Sequence, residues 1–130
     1  MVKLKYLTLL AIFVTTPLLA KEPSPNINIE EKTYHYLCDN KKNVTAHYIN
    51  SEDQSKKETV SFLRLDIDGQ SYGLTEAVSA SGERYIGHHG LDLSHGLIWW
   101  SKGDTAFLSV FKGDNAQNSR IIYRNCRLLK

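Results

Sequence analysis

The chain has 130 residues, with 16 Lys and Arg against 14 Asp and Glu, which gives a formal net charge of +2. Lys3 and Lys5 lie in an N-terminal segment that we expect to be removed, and without them 14 basic residues balance 14 acidic ones. A balanced charge with no basic stripe argues against binding to nucleic acid or to an anionic membrane surface. The length suits one compact domain and not two.

The first twenty residues have the pattern of a secretory signal peptide. A positive n-region with two lysines precedes an apolar h-region over residues 6–14, and a small residue follows at Ala20. The apolar run is too short to cross a bilayer as a helix. We therefore predict a signal peptide over residues 1–20, cleavage after Ala20, and export of the remaining chain.

Residues 21–32 are polar and contain two prolines, so we predict a flexible arm there and a folded domain over residues 33–130. Within the domain the apolar residues recur with a period of two, which is typical of β-strands. The predicted strands cover residues 33–38, 44–49, 59–67, 70–74, a segment ending at Trp100, 105–111 and 120–128.

Turn-forming residues separate these strands. Asp68-Gly69 is a strong hairpin signal, and Asp39, Gly103 and Gly113 stand in further turns. No segment after the leader has a convincing helical period. Many short strands with turns at this spacing predict an all-β, antiparallel sandwich or barrel.

The domain contains two cysteines, Cys38 near its start and Cys126 near its end, 88 positions apart. In an exported protein such a pair is expected to form a disulfide, although two separate buried thiols are the alternative. A bond between the first and last strands favours closure into a barrel, because the terminal strands of a closed sheet are neighbours.

Two segments place a polar side chain directly before a glycine: Ser81 before Gly82, and Lys102 before Gly103. Large aromatic residues flank both pairs. Because glycine allows a positive φ and close backbone approach, we expect two stiff loops that present a hydroxyl and an ammonium. No base accompanies them, and no nucleophile is paired with a base elsewhere, so we predict that the protein is not an enzyme. The two groups suit a pocket lined with carboxylates.

With these loops the chain resembles the inhibitors of c-type lysozyme, the membrane-bound and periplasmic proteins of Gram-negative bacteria that share one small domain. The resemblance covers about residues 34–127. It rests on four features in order, Tyr36-Leu-Cys38, the serine–glycine loop ending at Tyr85, Trp100-Ser-Lys-Gly103, and a cysteine near the C-terminus at Cys126.

The resemblance implies an eight-stranded antiparallel β-barrel whose two loops enter the lysozyme cleft. It implies that the side chains of Ser81 and Lys102 contact the catalytic carboxylates of the enzyme. The residues expected to bind lysozyme are Ser81, Gly82, Tyr85, Lys102, Gly103 and Thr105. It implies a protein partner, c-type lysozyme, and no cofactor.

One departure from part of the family concerns the anchor. The membrane-bound members carry a lipid on a cysteine at the end of the signal, whereas here Ala20 is followed by Lys21 and no cysteine comes before Cys38. The soluble periplasmic form, without a membrane anchor, is therefore the better match.

Two alternatives stay open at this point. Trp99 or Trp100 could stack on a sugar, which would make the protein a barrel that binds cell-wall glycan or another small ligand. A segment with His88, His89 and His95 has ligand-like chemistry, but its spacing is not a known metal pattern, so we expect a solvated loop and no metal.

Overall fold

The computed structural model describes residues 11–20, 24 and 26–130. Half of the predicted signal peptide and the start of the predicted arm therefore lie outside the described residues. Residues 11–20 have no regular secondary structure and are exposed. Nowhere in the described part of the chain is there a helix of the length and apolar character needed to cross a membrane.

Eight antiparallel strands follow one another in chain order and close into a barrel, in which the last strand pairs with the first. A short 3-10 turn over Asp39–Lys41 joins the first two strands. The strands are β1 (Ile27–Cys38), β2 (Lys42–Asp53), β3 (Glu58–Ile67), β4 (Gln70–Ala77), β5 (Glu83–Asp92), β6 (His95–Lys102), β7 (Thr105–Lys112) and β8 (Arg120–Leu128). The all-β barrel is confirmed.

The alternating pattern determines which side chains fill the barrel. In β3, Leu63, Leu65 and Ile67 are buried, whereas the intervening residues are less so. The hairpin predicted at Asp68-Gly69 joins β3 to β4, and both residues have positive φ, 49° and 78°. Positive φ at both central positions is the requirement of a type I′ turn, whose twist matches that of the flanking strands.

A hydrogen-bonded aromatic group occupies the centre of the barrel. Trp99 is fully buried, and its Nε1 donates to the hydroxyl of Tyr48 at 2.9 Å. Tyr48 in turn donates to Oγ of Ser101 at 3.1 Å. The ring of Tyr36 meets Trp99 edge-on at 5.1 Å between centroids. Buried polar atoms are thus paired, as a low-dielectric interior requires, and Trp99 is not available to stack on a ligand.

The Cys38–Cys126 disulfide is confirmed, with an S–S distance of 1.99 Å. The bond lies where β1 meets β8 to close the barrel, and few residues of these two strands are paired. β1 pairs with β8 only at Tyr36↔Leu128 and Leu37↔Arg127. The covalent bond therefore reinforces a seam that contains few backbone hydrogen bonds.

The structure corrects the start of the domain. The predicted arm over residues 21–32 overlaps β1, which begins at Ile27 and pairs with β2 as far as Asp53. Ile27 and Ile29 alternate with polar residues, but both are exposed, at 49% and 66%. The sequence gives little sign of this part of the strand, because its side chains do not enter the core and most of its residues are polar.

The histidine segment also differs from its prediction as a solvated loop. His88 and His89 lie in β5, and His95 begins β6. Glycines at 87, 90 and 96 concealed the strands, because glycine normally weakens a strand pattern. Here they allow close approach, since a Cβ on Gly87 would come within 2.6 Å of the carbonyl oxygen of Gly73.

We predict that the Cys38→Ala/Cys126→Ala variant loses about 4 kcal/mol of unfolding free energy, because the bond closes a loop of 88 residues in the unfolded chain. Urea denaturation, followed by the fluorescence of buried Trp99, measures the loss. The reduced wild-type protein should match the variant. A loss below about 1 kcal/mol would show that the β1–β8 seam holds without the bond.

Candidate functional site

Two connections meet at one end of the barrel: the β4–β5 loop (residues 78–82) and the β6–β7 turn (residues 102–105). Gly82 brings them together. A Cβ added to Gly82 would collide with the carbonyl oxygen of Ser101 and would lie 3.1 Å from Cβ of Lys102. Gly82 also has a φ of +69°, which disfavours other residues. The backbone of one loop therefore rests against the base of the other.

Hydrogen bonds hold the backbone of the β4–β5 loop. Nε1 of Trp100, in β6, donates to the carbonyl oxygen of Ser81 at 2.9 Å. Oγ of Ser79 donates to the same oxygen at 2.6 Å. The Ser81 side chain is exposed, and its hydroxyl makes no hydrogen bond to another described residue. The loop is thus held through its backbone while the hydroxyl is free to bind a partner.

The β6–β7 turn presents Lys102 in a similar way. Oγ1 of Thr105 donates to the carbonyl oxygen of Lys102 at 3.1 Å, and Gly103 has a φ of +58°. Lys102 is exposed, and its ammonium takes part in none of the salt bridges between described residues. The turn therefore presents an ammonium group that forms no salt bridge with another described residue.

Tyr85 lies in β5, below the loop on which the sequence analysis placed it, and is only 4% exposed. Its ring meets that of Tyr48 edge-on at 5.5 Å. Burial raises the pKa of the Tyr85 hydroxyl far above its ordinary value, and burial does the same to the pKa of Tyr36. Both tyrosines are therefore neutral parts of the core under the loops.

A cavity of about 650 Å³, which we call the mouth cavity, opens at the end of the barrel beside Gly82, Lys102 and Gly103. Its lining includes the tyrosines of the core. Three carboxylates also line it, those of Glu76, Glu83 and Asp104. Asp104 lies 3.6 Å from Nζ of Lys130. Lys32 lines the cavity as well, so three carboxylates and two ammonium groups, those of Lys32 and Lys102, surround this opening.

A second concavity, of about 520 Å³, lies on the outer surface of β6, β7 and β8, and we call it the outer groove. Ser81, Lys102 and Thr105 all line it, so the structure brings these three predicted site residues together. The other lining residues are Trp100, Ala106, Phe107, Ile121, Arg124, Asn125 and Arg127. The contribution of β8 has no signal in the sequence, because its arginines resemble ordinary surface charges.

The histidines do not form a metal site in the described part of the chain, which contains no group of three or more His, Cys, Asp or Glu side chains able to hold an ion. Nδ1 of His95 lies 2.8 Å from the carboxylate of Asp92. Hydrogen bonds from Ser94 and then from His95 hold the pKa of Asp92 well below its usual range. This group stabilises the β5–β6 turn.

Comparison with protein families places most of the barrel in a known family. The model of the family described as membrane-bound lysozyme-inhibitor of c-type lysozyme matches residues 36–117, more than half of the 130 residues. The chain belongs to this family. The matched segment includes Cys38 and both loops but not β8 or Cys126. No curated protein and no solved structure gives a match.

The two loop glycines predict different costs on substitution. Gly103→Ala should lose about 1 kcal/mol of unfolding free energy, because a residue with a Cβ is strained at this positive φ. The added Cβ itself would meet no neighbouring atom within 4 Å. Gly82→Ala should lose about 2–4 kcal/mol, because its new Cβ must also displace the Ser101 carbonyl. Urea denaturation of both variants compares them, and equal losses would contradict the close approach of the loops.

Proposed function

We propose that this member of the lysozyme-inhibitor family blocks c-type lysozyme competitively, by inserting the β4–β5 loop and the β6–β7 turn into the active-site cleft. Ser81 and Lys102 then meet the catalytic carboxylates. The observation that carries the proposal is that Ser81, with its free hydroxyl, and Lys102, whose ammonium forms no salt bridge with a described residue, are both exposed and line one groove at one end of a closed barrel. The family membership supports inhibition as the activity.

The chemistry of the enzyme suits these two groups. A glycosidase of this kind flanks the scissile bond with two carboxylates. The Lys102 ammonium would form a charge-assisted hydrogen bond with them in a partly desolvated cleft. The Ser81 hydroxyl would donate to one carboxylate while it fills space that a sugar needs. Inhibition by this route involves no covalent step.

The fixed backbone of the loops favours tight binding. The Trp100–Ser81 hydrogen bond and the packing of Gly82 hold the loop in one conformation before the partner arrives. Gly103 and Thr105 do the same for the turn. Less conformational entropy is then lost on association. Tyr85 would contribute from below, as part of the core on which the loops rest.

The same proposal includes export to the periplasm. It is supported by the signal-peptide pattern of residues 1–20 and by the disulfide, since disulfides form and persist in oxidising compartments. In that compartment the protein would protect peptidoglycan against host lysozyme.

The first test is the residual activity of a c-type lysozyme on bacterial cell walls, titrated with the oxidised protein. Lys102→Ala should weaken binding by about 2–5 kcal/mol, as expected when one partner of a buried charge pair is lost. Ser81→Ala/Lys102→Ala should abolish stoichiometric inhibition. Lys112→Ala is the matched control, since this exposed lysine lies at the opposite end of β7. A loss below about 0.5 kcal/mol for Lys102→Ala would show that Lys102 is not the central contact.

The carboxylates around the mouth cavity should steer association, because lysozymes of this class are typically basic. Glu76→Gln should lower the association rate constant about two- to threefold at low ionic strength, and added salt should remove the difference. Asp114→Asn is the control, because this fully exposed carboxylate lies in the β7–β8 connection, away from the loops. Stopped-flow fluorescence measures the rates, and equal effects of the two variants would argue against local steering.

A further inference from the structure

We propose that the outer groove binds a saccharide that carries a carboxylate, at a site that shares Ser81 and Lys102 with the surface proposed to contact lysozyme. The groove combines an aromatic floor, three cations and free hydrogen-bonding groups. Its volume of about 520 Å³ is within the range of small-molecule sites.

A β-bulge shapes the groove. Between Ala106 and Leu108 the pairing of β7 with β8 shifts, so that Arg124 and Asn125 both stand opposite Phe107. Asn125 has a φ of 49°, a conformation that few residues other than glycine adopt. Bulges redirect side chains and are over-represented next to functional sites. The bulge therefore accompanies two consecutive residues of β8, Arg124 and Asn125, that both line the groove.

A hydrogen bond to the turn that follows β1 holds Asn125 in this conformation. Its Nδ2 donates to Oδ2 of Asp39 at 2.8 Å. Its side-chain oxygen makes no hydrogen bond to another described residue. Asn125 and Ser81 are both among the residues that line the groove. They are suited to the hydroxyl groups of a ligand.

The floor is formed by two aromatic rings. Trp100 and Phe107 are partly exposed, with ring centroids 5.8 Å apart and planes at 39°. The two rings give the groove an apolar side, against which the apolar face of a ligand can be buried. The C–H face of a pyranose ring fits such a floor.

The charge of the groove selects an anion. Lys102, Arg124 and Arg127 line it, and no acidic residue does. Within the described part of the chain neither guanidinium forms a salt bridge. The planar fork of a guanidinium matches the geometry of a carboxylate. A ring with an apolar face, hydroxyls and a carboxylate is an acidic sugar.

The proposal can be tested by comparing the binding of two sugars to the wild-type protein, one with a carboxylate and one without. N-Acetylmuramic acid carries a lactyl carboxylate, and N-acetylglucosamine lacks it. In an NMR titration, the indole N–H signal of Trp100 should shift with N-acetylmuramic acid, while that of buried Trp99 should not. N-Acetylglucosamine should bind about tenfold more weakly, as expected for the loss of one charge-assisted interaction.

Variants outside the inhibitory loops locate the site. Arg124→Ala/Arg127→Ala should weaken N-acetylmuramic acid binding about tenfold or more and leave N-acetylglucosamine binding unchanged. Arg120→Ala, on the same strand but outside the groove, should bind like wild type. Retained inhibition of lysozyme by the double variant would show that its fold and loops are intact. Absence of any Trp100 shift, equal affinity for the two sugars, or tighter binding of adenosine monophosphate would each overturn the proposal.

Discussion

The hydrogen bond from the Trp100 indole to the Ser81 carbonyl is the interaction on which both candidate surfaces depend. It crosses from β6 to the β4–β5 loop, and Lys102 follows two residues after Trp100 at the end of the same strand. The indole ring therefore holds the loop that carries Ser81 against the strand that carries Lys102. The same ring forms the floor of the outer groove, so the position of the loop and the shape of the groove are linked.

Charge is distributed unevenly around the loops although the folded domain is balanced overall. Three carboxylates and Lys32 line the mouth cavity, whereas the outer groove is lined by two arginines and by no acidic residue. Lys102 borders both. A partner that approaches this end of the barrel meets opposite charges on its two sides, which favours one orientation over the others. Total charge alone gives no indication of this polarity.

The parts of the structure that could be predicted from the sequence are those determined by local chemistry. Asp68-Gly69 specifies a tight hairpin by its own conformational preferences, and the polar–glycine pairs at Ser81 and Lys102 mark turns in the same way. The outer groove could not be predicted, because the bulge at Asn125 depends on how β8 pairs with β7. Pairing between strands is a property of the whole sheet and has no signal within either segment.

Whether a residue is buried was also difficult to predict from the sequence. Tyr85 carries a polar atom and follows a polar loop, yet it lies in the core, where its ring packs edge-on against that of Tyr48. The first residues of β1 show the reverse case, since they are paired in the sheet but exposed. In both places the polarity of a side chain is a poor guide to its surroundings. A polar side chain can be buried, and an exposed segment can still be paired in a sheet.

The pairing of β1 with β8 has a consequence for how the chain folds. Every other strand pairs with its neighbour in sequence, so those hairpins can form as local units. The final seam joins residues about ninety positions apart, and the entropy of closing so long a loop must be overcome before its contacts form. A chain still lacking β8 leaves the edges of β1 and β7 unpaired and prone to pair with another molecule. Cys38 likewise has no partner until the last strand arrives, so the disulfide fixes a barrel that the remaining strands have already arranged.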